Sequence, residues 1–454
     1  MSAQGKATTK INNRSEAISG WFFCLPIIVI LGIFLFIPII MALWVSFSDW
    51  SGRGDPFSSA VHFIGGANYQ SVLATPGLSQ SDFGTAIRNN AWYTLLVIPL
   101  QTILSLLLAI MLNRKILKAR GFFRTAFYFP SVTSSVAITV LWLFFNTSGS
   151  INAMLAWFGA HGPNWFNDPD GILHLLLRQC GLNHGPQPLT AHGFLGISWW
   201  DWLSGPSVAM FAIILMVVFT TSGTFMLMFI AALQNIGEST EEAAIMDGTN
   251  EWQRMWKVTI PQLKPTIFTV ITLGIIGIWQ VFDQIYTGTQ GGPSKTTLTP
   301  AYLSYTSAFN DQQWGQGEAI SFILFVIIVL MTVLQRFIIR DKPLSRRKRK
   351  YYLRMKEQAR AIRVASPGIS RSAASTARSS SSSRAGKKSS RRRNGYKTNH
   401  LYRLVRDHCG RAVLYLILIF LALIYISPFL VQIATSFKTD AEASSSPVSL
   451  TPQV

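Results

Sequence analysis

The chain has 454 residues, 49% of them hydrophobic and 13% charged, a balance open to several soluble domains or one polytopic membrane protein, and the clustering of the apolar residues decides for the membrane. A net charge of +20 would suit a nucleic-acid partner, but Arg340 to Arg411 holds 23 Lys and Arg against Asp341, Glu357 and Asp407 and so carries all of it. The remainder is balanced, which makes the charge a property of one linker and argues against nucleic acid as the partner of the body.

Runs of about 20 apolar residues, the length that crosses a hydrocarbon core, recur at Trp21–Phe47, Asn90–Leu112, Phe127–Phe145, Val208–Leu233, Thr266–Tyr286, Ala319–Phe337 and Val413–Phe437. The first is too long for the apolar part of a cleaved signal and reads as a retained span. Lys6, Lys10 and Arg14 precede it. Arg114, Lys115, Lys118, Arg120 and Arg124 separate the second run from the third, whereas the third-to-fourth and fifth-to-sixth connections carry only Arg178 and Lys295. The positive-inside rule therefore predicts a cytoplasmic N-terminus and puts the connection after the fourth span on the same side.

The long outer connection Asn146–Pro206 concentrates Trp157, Trp165, Trp199, Trp200 and Trp202. It reads either as a landing surface for an extracellular partner or as an aromatic belt at the membrane interface. His161, His174, Cys180, His184 and His192 share it without a zinc-ligand spacing, and Cys24, Cys180 and Cys409 form no disulfide framework, so neither metal nor disulfide is expected.

Within the spans, polar residues are costly and therefore informative. The fourth holds Thr220, Thr221, Ser222, Gly223 and Thr224, and the second holds Gln101, Thr102 and Ser105. Such residues serve close helix packing or line a path, and Ser222 and Thr224 are candidates for the latter; the glycine could also unwind its helix beside a ligand. In the fifth span, Trp279, Asp283 and Tyr286 fall on one helical face with Phe282 alongside. Aromatic rings that cover a sugar's C–H face and a carboxylate that accepts from its hydroxyls would suit a carbohydrate. Alternatively, water satisfies Asp283 at the outer end of the span.

Between the fourth and fifth spans lies the polar stretch Ser239–Pro265. Ser239 with Glu242 predicts a capped helix start, Gly248 a stop, Asn250 with Gln253 a second start, and Pro261 the end of a short second helix whose stripe is Trp252, Met255 and Trp256. Ala243 and Ala244 leave one side of the first helix nearly bare, which allows another surface to approach its backbone. Glu242, Ala243, Ala244, Asp247, Gly248, Val258, Ile260 and Pro261 resemble the EAA loop of membrane subunits of binding-protein-dependent ABC importers. SFSDW at Ser46–Trp50, FIGGANY at Phe63–Tyr69, the text Arg88–Gln101 and GFFRTAFYFPSV at Gly121–Val132 extend the resemblance over Trp21 to about Asp341, toward the carbohydrate-uptake, maltose-type branch.

The resemblance implies an all-α, polytopic protein of the bacterial cell membrane: a cytoplasmic tail over residues 1–20, a six-span permease domain over 21–341 and a first span of a second permease over 411–454. It implies that residues 239–265 couple to a separate ATP-binding cassette ATPase dimer, which holds the ATP and Mg, and that a second permease subunit and an extracellular solute-binding protein complete the transporter. The segment 342–410 is Ser/Arg-rich and predicted to be disordered, a plain tether or a hold on anionic membrane lipids. It contains no nucleotide loop, since Gly386-Lys387 is followed by Lys388 and Ser381 stands where the first glycine belongs. Arg411–Pro447 resembles the start of the partner permease, so a fused design carrying only the beginning of its second half is expected. No catalytic constellation is found; the alternative to a permease is a non-transporting scaffold or sensor that recruits partners through the basic tail.

Overall fold

The computed structural model describes residues 13–114, 117–147, 162–182, 185–339 and 396–438, together with residues 152, 156 and 159. Most of the expected N-terminal tail, the expected disorder of the basic linker up to residue 395, the end of the last segment, Lys115, Trp157, His161 and His184 lie outside the described residues. The chain divides into two compact units, Met1–Val333 with Ala422–Val454, and Leu334–Leu421. The second contains the last turns of one long helix, the basic linker and the first part of another helix.

Helix α1 (Asn13–Leu31) passes through a π turn at Gly32–Phe36 into α2 (Ile37–Ser46), and together they expose almost all of their apolar side chains. A short α3 (Ala67–Leu73) leads to α4 (Leu78–Asn113), a single rod of 36 residues. Asp82 near its N-terminal end pairs with Lys295 at 2.7 Å, and the Asn89 amide donates to the Lys295 and Leu298 carbonyls, so α4 also pins the connection between the fifth and sixth runs.

The third apolar run does not form one span. It is split into α5 (Arg120–Val132) and α6 (Ser135–Thr147), bent by 91° to each other. Pro130 removes a backbone donor near the end of α5, Thr133 is extended, and hydroxyls compete for the local carbonyls, with Thr133 donating back to Phe129 O.

In the connection between the third and fourth runs, α7 (Ile172–Gln179) and α8 (Gln187–Ala191) precede a two-residue-strand hairpin, β1 (Gly193–Phe194) with β2 (Ile197–Ser198), and α9 (Trp199–Trp202). The hairpin sits against α4 at Gly84, where an added Cβ would strike the Leu195 carbonyl oxygen. Helix α10 (Val208–Gln234) is the centre of the unit: Met210, Ile213, Ile214, Met216, Met226 and Phe229 are fully buried, and it packs most extensively along α4 and α5. Among spans, close packing rather than water exclusion holds helices together, and Gly223 permits it here, because a Cβ would collide with the Phe127 backbone carbonyl on α5. Gly223 thus serves close approach, and α10 is not unwound there.

After α11 (Glu238–Met246), the second short helix of the connection, α12 (Glu251–Arg254), continues through a π turn at Met255–Thr259 into α13 (Ile260–Trp279). Pro261 therefore does not end it, contrary to the sequence expectation. The π turn widens the helix just before the proline, with the Ile260 N–H reaching back five residues to Met255 O, so the turn accommodates a residue that brings no N–H. The apolar run expected to reach Tyr286 instead stops at Trp279; residues 280–282 are not helical, and α14 (Asp283–Gly288) begins afresh with Asp283 favourably placed in its first turn. Helix α15 (Pro300–Tyr305), α16 (Trp314–Ile339) and α17 (Tyr396–Thr435) complete the described chain. By length and composition, six described helices could cross a membrane, including Gly410–Ala434, and the bent α5–α6 pair has the composition of a seventh, as a broken span or a re-entrant loop.

Candidate functional site

Two regions combine unusual surface chemistry with a defined backbone. The first is the hairpin α11–α12. Its opening helix starts at Glu238 with Gly237 as N-cap and no side-chain cap, so Ser239 and Glu242 do not form the expected capping box. The glycine stop and the second start are as the sequence predicts. Gly248 adopts φ +74°, its N–H bonds to Ile245 O at 3.0 Å, and the Thr249 N–H and hydroxyl both donate to Ala244 O. Asn250 and Gln253 form a reciprocal capping box at 2.7 and 3.3 Å.

The hairpin is held by its own backbone while its large apolar side chains stand outward: Met246 is 87% exposed and Trp252 71%, with Ile245 and Trp256 more than half exposed. The Trp252 and Trp256 rings meet edge to face. Glu242, Ala243, Asp247, Gly248 and Pro261 are exposed, and Val258 and Ile260 half-buried. Ala244 is buried against the turn, so only Ala243 offers the bare surface expected of both. Glu251 lies 3.7 Å from Arg114 at the end of α4, an exposed ion pair of little energetic weight.

The second region lies where the helix breaks meet. A cavity of about 320 Å³ is lined by Tyr93 and Gln101 of α4, Thr221 of α10, and Gln280, Phe282 and Asp283 at the second break. A smaller one of about 160 Å³, lined by Ser131, Thr133, Ser135, Thr220 and Thr224, shares Thr221 and Gln284 with it. The Ser135 hydroxyl donates to Asp283 Oδ2 at 2.6 Å, joining the starts of α6 and α14, and Ser131 donates to Thr220 O. The Thr221 hydroxyl lies 2.9 Å from Gln101 Oε1, while Gln101 Nε2 and the Tyr93 hydroxyl are buried without a hydrogen-bond partner among the described residues. Buried polar atoms are normally paired, and those left over mark places where water or a ligand completes the bonding.

The expected stripe is not assembled as the sequence suggested. Trp279 is 4% exposed and packs with Ile275 and Leu324, because the break at residues 280–282 turns Asp283 and Tyr286 away from it. Phe282 and Tyr286 instead stack at 5.4 Å and join Tyr302 and Tyr305, and burial, with a smaller contribution from Tyr286, pushes the Tyr302 phenol above its ordinary pKa. Asp283 is exposed and at the cavity. Ser222 is fully buried and bonds Tyr425 of α17 at 2.6 Å, with Tyr425 also packed on Phe127 and Phe219, so it is a helix contact; its neighbour Thr224 lines the smaller cavity.

Tyr93, Ser131, Ser135, Gln280 and Gln284 were not anticipated as lining residues. Pro130 beside a run of hydroxyl residues was the available signal for the first break. Among the described residues, no group of three His, Cys, Asp or Glu side chains could hold a metal ion, and Cys24 and Cys180 are exposed free thiols.

Residues 71–342 match the family model described as binding-protein-dependent transport system inner membrane component. The chain is 30% identical to the lactose transport system permease protein LacF of Rhizobium radiobacter over 72% of its own length and 96% of that protein. It is 29% identical to the trehalose/maltose transport system permease protein MalF of Thermococcus litoralis, over 72% and 95%. A solved bacterial ABC transporter involved in the import of alginate contains a chain of the same fold, with a TM-score of 0.54 at 18% identity over 72% of this chain and 97% of that one.

Proposed function

This chain belongs to the family of binding-protein-dependent transport system inner membrane components, and from that premise we propose that it forms the membrane passage for a carbohydrate, an oligosaccharide or glycoside, driven by a separate ATP-binding cassette ATPase dimer. It performs no chemistry itself. ATP and Mg are held by the ATPase, a second permease subunit completes the passage, and a solute-binding protein delivers the sugar from outside. The N-terminus and the α11–α12 hairpin face the cytoplasm, in accord with the distribution of Lys and Arg between the connections.

The observation that carries the reading is the cavity at the two helix breaks, where Gln101 Nε2 and the Tyr93 hydroxyl lie buried and unpaired by protein. A sugar is a dense array of hydroxyls on an apolar ring frame. Gln101, Tyr93 and Thr221 supply donors and acceptors, Asp283 accepts from sugar hydroxyls, and Phe282 offers an aromatic wall. Broken helices at such a site leave backbone groups free to face a polar solute, an arrangement transporters use near the membrane midplane. The names of the lactose and trehalose/maltose relatives support the substrate class.

The hairpin and the cavity share one mechanical element. Glu251–Trp279 is a continuous helical stretch of 29 residues that begins in the hairpin and ends at the break beside Gln280. At about 1.5 Å per residue it spans roughly 43 Å, so a displacement of the hairpin reaches the cavity wall directly. ATPase closure on the exposed Met246, Trp252 and Trp256 would swing this rod and switch the cavity between outward and inward access.

The test uses the assembled transporter in proteoliposomes. Gly248→Val and Glu242→Lys should leave the chain in the membrane but abolish sugar-stimulated ATP hydrolysis; normal stimulation in both variants contradicts the role of the hairpin.

A further inference from the structure

The outer connection forms a groove that the transport reading does not use. Trp92 and Leu95 of α4 make one wall; Leu189, Trp199, Trp202 and Leu203 of the α8–hairpin–α9 element make the other, enclosing about 510 Å³ with almost no polar lining. Two of the three indoles have spent their polar ends on the protein: Trp92 Nε1 donates to Trp202 O at 2.9 Å and Trp202 Nε1 to Phe194 O at 3.2 Å. What the groove offers an occupant is almost entirely ring face and aliphatic carbon. Trp199 and Leu203 are nonetheless 43% and 48% exposed.

The depth of the groove identifies what lies next to it. Arg114, Arg120 and Arg124 mark one membrane boundary just beyond the end of α4. A hydrocarbon core of about 30 Å takes about 20 helical residues, so counting back from Leu112 puts the opposite boundary close to Tyr93, at the level of Trp92 and Leu95. The groove also continues into the exposed stripe Leu95, Leu100, Ile103 and Leu107 on the same helix, the face that a spanning helix turns to lipid. Trp rings with a satisfied N–H and an apolar face are suited to that depth.

We propose that this groove holds an acyl chain of an outer-leaflet phospholipid, and that the α8–hairpin–α9 element is a lipid-seated clamp rather than a landing surface for the solute-binding protein. The close seat of the hairpin on Gly84 keeps the clamp fixed on α4. Lipid in the groove then supports the outer part of α4, two turns from the cavity residue Gln101.

The test uses the full chain. Native mass spectrometry of the detergent-purified protein should show one retained phospholipid that Ala91→Trp, which fills the groove from the α4 wall, loses while circular dichroism stays unchanged. In bilayers, the emission that disappears with Trp199→Phe should be quenched by phospholipid brominated near the carbonyl end and spared by iodide in the water. Three results would overturn the proposal: equal lipid retention by Ala91→Trp, quenching of Trp199 by iodide alone, or loss of lipid quenching when the second permease is co-assembled, which would make the groove a protein interface.

Discussion

The hairpin and the cavity are built on opposite principles. On the hairpin, large apolar side chains face outward from a backbone fastened by its own caps and turn; in the cavity, polar side chains face inward, and Gln101 Nε2 and the Tyr93 hydroxyl lack a partner among the described residues. Each inverts the usual partition, and each inversion is stable only because the surrounding backbone is over-determined, by local hydrogen bonds in one case and by packed helices in the other. A surface of the first kind suits a protein partner and one of the second a polar solute. The continuous helical stretch Glu251–Trp279 runs from the hairpin to the break at the cavity.

The comparison breaks first where packing fails. Gly223→Val forces a branched side chain into the Phe127 carbonyl, and overpacking of this kind costs about 1–3 kcal/mol or more; the variant should lose folded yield in detergent and sugar uptake together. Tyr93→Phe separates site from scaffold. It deletes a hydroxyl that makes no protein hydrogen bond, so thermal stability should hold, while uptake falls about tenfold, the equivalent of roughly 1.4 kcal/mol of lost sugar bonding.

At the other end, Gly248→Ala should be milder than the valine variant. Open space surrounds the glycine, and only its φ of +74° opposes a side chain, at roughly 1–2 kcal/mol. Asn250→Ala removes the capping box at a cost of about 1 kcal/mol, which should raise hydrogen exchange across Glu251–Arg254 without changing the cavity. Arg114→Ala breaks only an exposed pair and should shift thermal stability by less than about 1 kcal/mol.

The two regions also differ in how much of them could be read from the chain. Gly248, Asn250 and Gln253 act on backbone groups within a few residues, so the hairpin's turn and second start were legible, and its misread features were equally local: Gly237 took the cap from Ser239, and a π turn absorbed Pro261. The cavity draws on α4, both halves of the third span, α10 and the second break, and no local pattern reports such a convergence. Hydropathy registers composition and passes over a backbone break, which is why Phe127–Phe145 and Thr266–Tyr286 each read as one span. That error put Trp279 on a stripe with Asp283 and left Ser135 unnoticed, while Tyr93, on the unbroken α4, carries no local signal of the cavity it meets. Ser222 and Thr224 were indistinguishable by sequence; their angular difference on α10 sends one to Tyr425 and the other to the cavity.

The most direct measurement is ATP-driven uptake of labelled oligosaccharide by proteoliposomes containing the complete transporter, with Gln101→Leu compared to wild type and ATP hydrolysis followed in the same vesicles. The account predicts a loss of uptake of about tenfold or more, corresponding to at least roughly 1.4 kcal/mol, with the complex still assembled and its sugar-independent ATP hydrolysis intact. Wild-type uptake in that variant would contradict the assignment of the broken-helix cavity as the sugar's passage.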